Sequence, residues 1–485
     1  MESGKVHRGI KRSIKRADSD MTSGSIWKLL ITFALPMAAG LLFQQLYNTV
    51  DTIVVGKFVG KEALAAVGST SSIINMLVGL CSGLSMGASV VISQSYGAKD
   101  FLRLHDAVHT TILVTIIMSV VATGVGILIV DPMLRMMSTP EDVFGAAHDY
   151  LTIYFAGISG LFIYNMGSAI LRAVGDSRRP LYFLVFSAVL NVIMDLVFVI
   201  AFKMDIAGAA YATIISQFLS AALVMFVLMR SAGPYAVHWS QLRINGDILK
   251  QVLSIGLPSG VQQGLTSFSN VFVQSYVNAF GSDCMAGWSS YNKLDVYALI
   301  PTQSIAMAST TFVGQNYGAR QLERARRGVK QAMIMSISMT VVLCGLLVLF
   351  RDQLLTLFTN DPLVIQYGSR FIGIIAPFYF CACFNQTFAG AMRGIGKAKV
   401  PMIVMLSSFV LFRQIFLFVG TRLGGGFVLV SLAYPMGWVV CSIAMYVCYK
   451  RSALCHPEKA RFDDDDTAKA ESIEDEIENP TEGME

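Results

Sequence analysis

Two aspartates stand inside stretches otherwise apolar enough for hydrocarbon. Asp51 follows Gln44, Tyr47 and Asn48 on one stretch, and Asp195 follows Asn191 on another. Gln44, Asn48 and Asp51 are spaced i, i+4, i+7 and share one helix face, with Tyr47 a turn below Asp51. Asn191 and Asp195 are spaced i, i+4. Asp51 lies six residues before Lys57 and Asp195 eight before Lys203. At 1.5 Å per residue, both carboxylates sit roughly 9–12 Å below the same boundary. Thr213, eight residues past Asp205, reaches that level too. Carboxylate, amide and hydroxyl oxygens converging at one depth suit a monovalent cation, either a shared proton or Na+. The plainer reading is that each acid snorkels or bonds a neighbour. A pair at matched depth is harder to dismiss that way than a single acid.

Lys293 and Asp295 form a third charged position, spaced i, i+2, so they face different ways and need not pair. Gating or substrate contact and a structural role beside another helix are both open for them. Enzyme chemistry finds little support. Gly83-Leu84-Ser85-Met86-Gly87 fits the G-x-S-x-G pattern, but on a membrane helix instead of a strand–turn–helix. The six histidines (7, 105, 109, 148, 238, 456) fall in tails, loops and span ends, leaving that serine no base. No Walker motif appears, so ATP hydrolysis is not the expected energy source. The eight cysteines form no CxxC pair and read as thiols, mostly buried. No cofactor is expected, and no metal beyond Na+ at Asp51 and Asp195.

The elements that must position these groups are membrane helices. Hydrophobic residues make up 54% of 485 positions and charged residues 14%, with mean hydropathy +0.58; a soluble chain carries roughly a quarter charged residues. The net charge of +5 is therefore no nucleic-acid signal. Apolar stretches long enough to cross a bilayer recur near 27–56, 62–95, 107–130, 147–173, 180–202, 207–230, 248–279, 284–316, 328–350, 362–392, 400–420 and 424–449. The expected fold is an all-α polytopic membrane protein, with twelve transmembrane helices in two pseudo-symmetric six-helix lobes. The lobes span 26–230 and 248–450, joined by the polar linker 231–247. The basic tail 1–25 and the acidic stretch 456–485 of the tail 451–485, with Asp463 to Asp466 in a row, are expected to be disordered.

A repeat sets the two lobes. Gln94-Ser95-Tyr96-Gly97-Ala98-Lys99 returns 221 residues later as Gln315-Asn316-Tyr317-Gly318-Ala319-Arg320. Arg172, Gly175 and Pro180 return as Arg393, Gly396 and Pro401; Pro36 and Asn48 return as Pro258 and Asn270. With both termini in the cytoplasm, 28 of the 37 Lys and Arg residues fall on the cytoplasmic side, the positive-inside bias. Six spans per half is even, so the halves are parallel repeats, a common construction for a secondary transporter. By the repeat offset Asp51 maps to Val273, Asn191 to Phe412 and Asp195 to Phe416. The scaffold is duplicated and the acid pair is not, which favours a dedicated cation site in the first lobe.

Pro36 and Pro258 are bending points or tolerated kinks, evenly weighed. Gly79, Gly83 and Gly87 recur every four residues and read as close helix packing. The aromatics and Met392 of the tenth span read mostly as core or lipid-facing, with a minority lining a cavity.

Taken together, Pro36 with Gln44, Gln45, Tyr47, Asn48 and Asp51, the Gln94–Lys99 motif and its copy, Leu171 to Asp176, and Leu190 to Asp195 resemble the multidrug and toxic compound extrusion (MATE) family over roughly residues 25–450. The resemblance implies two six-helix lobes in a V and cation-driven efflux of amphipathic or cationic drugs. It implies a cell-membrane antiporter whose partners are small organic molecules and the bilayer, working as a monomer. It carries Tyr47, Asp51, Asn191, Asp195 and Thr213, and Asn165 less directly, to a first-lobe cation site. Some members also use acids on the seventh or tenth span, and this chain has none there. The competing reading is a lipid-linked sugar flippase of the same superfamily, for which a more cationic cavity is expected.

Overall fold

The computed structural model describes residues 20–59, 61–137 and 139–460. Among them all regular structure is helical. Twelve long helices run in order: α1 (Ile26–Val54), α2 (Lys61–Gly97), α3 (Phe101–Met136), α4 (Glu141–Ala173), α5 (Arg178–Asp195), α6 (Asp205–Arg230), α7 (Gly246–Asn278), α8 (Ser282–Gly318), α9 (Leu322–Leu349), α10 (Pro362–Ile375 continued by Tyr379–Gly394), α11 (Lys399–Leu406 continued by Arg413–Arg422) and α12 (Phe427–Lys450). Ten of these spans are long and apolar enough to cross a membrane by composition alone. α7 and α8 are as long but carry more Ser, Thr, Gln and Asn. The chain is a multi-pass membrane protein of two six-helix lobes.

The duplicated motif is a helix stop. Lys99 and Arg320 both take left-handed backbone angles, φ 59° and 57°, so that Asp100 N–H reaches Ser95 O and Gln321 N–H reaches Asn316 O. This folds back the last carbonyls of α2 and α8. Gly175 and Gly396, φ 97° and 80°, do the same after α4 and α10, where a side chain would be strained.

The lobes share a core only toward the face that carries the linker. There the first half of α1 (Leu30, Phe33, Met37) packs with Ile305, Phe312 and Met335 of α8 and α9. In the mirrored contact Ile248, Val252 and Ile255 of α7 pack with Val91, Leu104 and Val108 of α2 and α3. Toward the far face each lobe has its own core, around Val54, Tyr150 and Phe155 in one and Trp288, Phe371 and Tyr379 in the other. The V therefore opens away from the linker. Gly83 and Gly87 do pack closely, and what they pack against is the other lobe: a β-carbon on either would overlap the α7 backbone at Gly260 or Val252. At the linker face a β-carbon on Gly97 would overlap the Gln315 carbonyl, and one on Gly318 the Gln94 carbonyl. Beside them Gln94 Nε2 donates to Gly394 O and Gln315 Nε2 to Ala173 O, both at 2.8 Å. α1 and α7 run through Pro36 and Pro258 without a break.

The N-terminal tail differs from expectation where it meets the second lobe. Met21 is fully buried; its N–H donates to Gln315 Oε1 at 3.0 Å and its carbonyl accepts from Asn316 Nδ2 at 3.1 Å. Residues 20–25 are therefore part of the second lobe's surface and not a loose tail. Ser452, Ala453 and Leu454 are likewise buried, and a short turn follows at Pro457–Lys459. Residues 1–19 and 461–485 lie outside the described residues.

Candidate functional site

The acids of α1 and α5 meet in the far half of the first lobe. The Asp51 carboxyl faces that of Asp195, and the Tyr47 hydroxyl faces Thr213 of α6. Asn191, Asp195 and Thr213 are buried, and Asp51 is half-buried. Each helix changes geometry within four residues beyond its acid. α1 continues into a π-helical turn at Val55–Val59 and α5 into one at Leu196–Ala201, and the two turns touch. The wider turn shifts the helix register at one depth on both elements, a device frequent at functional sites.

Sequence reasoning missed the fourth wall. Tyr150 of α4 stands beside Asp51 and Tyr47, and Tyr154 meets Gln217. The two rings lie 6.4 Å apart. The signal was available as two i, i+4 polar pairs, Tyr150 with Tyr154 and Thr213 with Gln217, each on one helix face.

The electrostatic state of this pocket is its main feature. Asp51 Oδ1, both Asp195 oxygens, the Asn191 amide atoms and Thr213 Oγ1 are shielded from solvent and make no well-formed hydrogen bond among the described residues. A buried carboxylate without donors costs several kcal/mol. Such a group has to be neutralised by a proton or by a cation. Carboxylate, amide and hydroxyl oxygens are hard donors, which suit H+ or an alkali cation better than a soft metal.

The remaining predicted residues lie elsewhere. Gln44 and Asn48 are exposed. Asn165 is half-buried and donates to Leu161 O at 2.8 Å; eleven residues beyond Tyr154, it lies about 16 Å further along α4. Lys293 and Asp295 do not pair. Lys293 Nζ lies 5.2 Å from the Phe358 ring centroid. Asp295 accepts from the Tyr291 hydroxyl at 2.9 Å and from the Tyr379 hydroxyl. Buried Arg413 donates to Ser269 Oγ and Asn270 Oδ1 at 2.8 Å each and lies over Tyr434. Asp295 and Arg413 of the second lobe thus have hydrogen-bond partners, while both Asp195 oxygens and Asp51 Oδ1 have none among the described residues. The repeat equivalents of the acids, Val273 and Phe416, belong to the second lobe's apolar core.

Two repeated six-helix lobes, parted at one face, with a pocket of buried acids inside the first, define a transporter rather than an enzyme. The family assignment follows from comparison: the chain belongs to the MatE family, whose profile matches residues 36–197 and 258–419, one match per repeat. It is 28% identical over 443 residues to the Probable multidrug resistance protein YoeA of Bacillus subtilis (strain 168), covering 88% of this chain and 94% of that one. It is 24% identical over 451 residues to the FAD transporter of Shewanella oneidensis, covering 91% and 97%. Among solved structures, an outward-facing multidrug resistance MATE family transporter superposes with a TM-score of 0.85 at 24% identity, over 90% of this chain and 99% of that one.

Proposed function

We propose that the protein is an antiporter that exports amphipathic or cationic organic compounds in exchange for H+ or Na+ bound between Asp51 and Asp195. The observation that carries this reading is the pair of facing buried carboxyls, three of whose four oxygens have no hydrogen-bond partner among the described residues. Thr213 supplies a further oxygen at the same depth, and Tyr47 and Asn191 supply theirs from one helical turn below. The names of relatives such as YoeA support drug-like cargo. The positive-inside bias supports a cytoplasmic linker and cytoplasmic termini, so the cleft described here faces outward. An ion entering from outside then meets the acids first. Ion binding weakens the lobe's hold on a cationic compound, and the compound weakens ion binding by the same factor. Lys293 and Asp295, Gln44 and Asn48 are assigned to gating or cargo contact, and the protein acts as a monomer. Uptake of a fluorescent organic cation into everted vesicles, driven separately by a pH and by a sodium gradient, tests the reading. Uptake that follows neither gradient overturns it.

A further inference from the structure

The histidines take no part in the acid pocket, yet three of them converge at the linker face. His105 and His109 stand one turn apart on α3, and His238 lies on the linker. One ligand atom of each lies within 4.8 Å of the other two. Their hydrogen bonds set the tautomers. His109 Nδ1 lies 2.8 Å from the His105 carbonyl, which can only accept, so Nδ1 holds the proton and Nε2 the lone pair. His105 Nε2 lies 2.8 Å from Gln241 Oε1, so it donates there and leaves the lone pair on Nδ1. An imidazole whose outer nitrogen is held by a carbonyl is the usual arrangement of a metal ligand. The His105 and His109 rings stack at 3.9 Å, and the exposed His238 ring lies 6.3 Å from His109, nearly parallel. Asp106 Oδ1 is 3.8 Å from His105 Nδ1 but is held by Arg243, so it contributes negative charge without being free to ligate.

We propose that His105, His109 and His238 form a binding site for a divalent transition-metal ion of the zinc class, fastening the interlobe linker to α3. Imidazole nitrogens select Zn, Cu, Ni or Co over Mg and Ca. A tetrahedral ion holds nitrogens at about 2.0–2.1 Å, and hence about 3.3 Å from one another. The exposed His238 side chain can close most of the remaining gap by changing rotamer. His109 Nε2 now accepts the His238 backbone N–H at 3.1 Å. The ion takes that lone pair instead, and water fills its fourth position.

The test is titration of the purified, untagged full chain with Co2+. The expected result is a tetrahedral Co2+ absorption band that Zn2+ abolishes, and a melting temperature raised by Zn2+. His105→Ala and His238→Ala should each lower affinity by at least about tenfold and remove the Zn2+-dependent rise. Gln241→Ala, which frees only the outer nitrogen of His105, should lower affinity by about tenfold. His238 is exposed, so His238→Ala without metal should melt like the parent. A Co2+ spectrum that stays octahedral, or affinity unchanged in both histidine variants, overturns the site.

Discussion

Asp195→Asn is the sharpest test of the acid pocket, because it keeps the side-chain volume and removes one of two facing carboxyls. A monovalent cation about 4 Å from a carboxylate, at an effective dielectric of about 20, is held by about 4 kcal/mol. At about 1.4 kcal/mol per decade, losing that attraction weakens ion binding by up to about a thousandfold. Asp195 is fully buried and its oxygens have no donor among the described residues, so few groups can compensate by rearranging. The assay is equilibrium binding of a fluorescent organic cation to purified protein across a range of pH and sodium concentration. In the parent, affinity for the dye should fall as the coupling ion rises. In Asp195→Asn that dependence should move to concentrations at least about a hundredfold higher or vanish, and ion-driven efflux should be lost. A variant with the parent's ion dependence, or a parent whose dye affinity rises with the ion, would refute the reasoning.

Asp51→Asn should also abolish ion-coupled efflux while leaving membrane insertion intact, as read by efflux at matched expression. Asp295→Asn should behave differently, because its carboxyl already holds two tyrosine hydroxyls. The melting temperature should fall, reflecting a loss of about 1.5–3 kcal/mol in charge-assisted hydrogen bonding, while dye binding keeps its ion dependence. Gly87→Leu should prevent the α2–α7 contact and expose cysteines placed along the inner halves of α1 and α7 to reagents from the linker side. A tag at residue 485 should be labelled only after the membrane is opened.

The helices, the two lobes and the pairing of Asp51 with Asp195 were legible because each leaves a periodic or compositional trace. Membrane spans announce themselves by length, and a duplicated motif by its spacing. Matched depth could be counted from Lys57 and Lys203 because helix rise is constant. Tyr150 and Tyr154 were not found: their i, i+4 spacing puts them on one helix face, but a tyrosine pair reads the same whether that face meets lipid or a carboxylate. The satisfied state of Asp295 was hidden for a related reason. Its partner Tyr379 lies 84 residues away, and only packing brings the two together. The π-helical turns leave no periodic trace of their own. Asn165 lies on the same helix as Tyr154 but about three turns further along it, a separation that a polar residue's identity alone does not reveal.

The seam at the linker face has the form of an isologous contact between two subunits, in which each surface patch meets its own copy. Gly97 lies on Gln315 as Gly318 lies on Gln94, and each glutamine caps the end of a helix in the opposite half. A six-span chain begins and ends on the same side of the membrane. Two half-length copies could therefore dock in parallel through this surface with no change of orientation, and fusing them requires only a short bridge such as residues 231–247. Once fused, the halves no longer have to match. One could keep its acids while the other filled the corresponding positions with Val273 and Phe416, a division of labour closed to a symmetric homodimer.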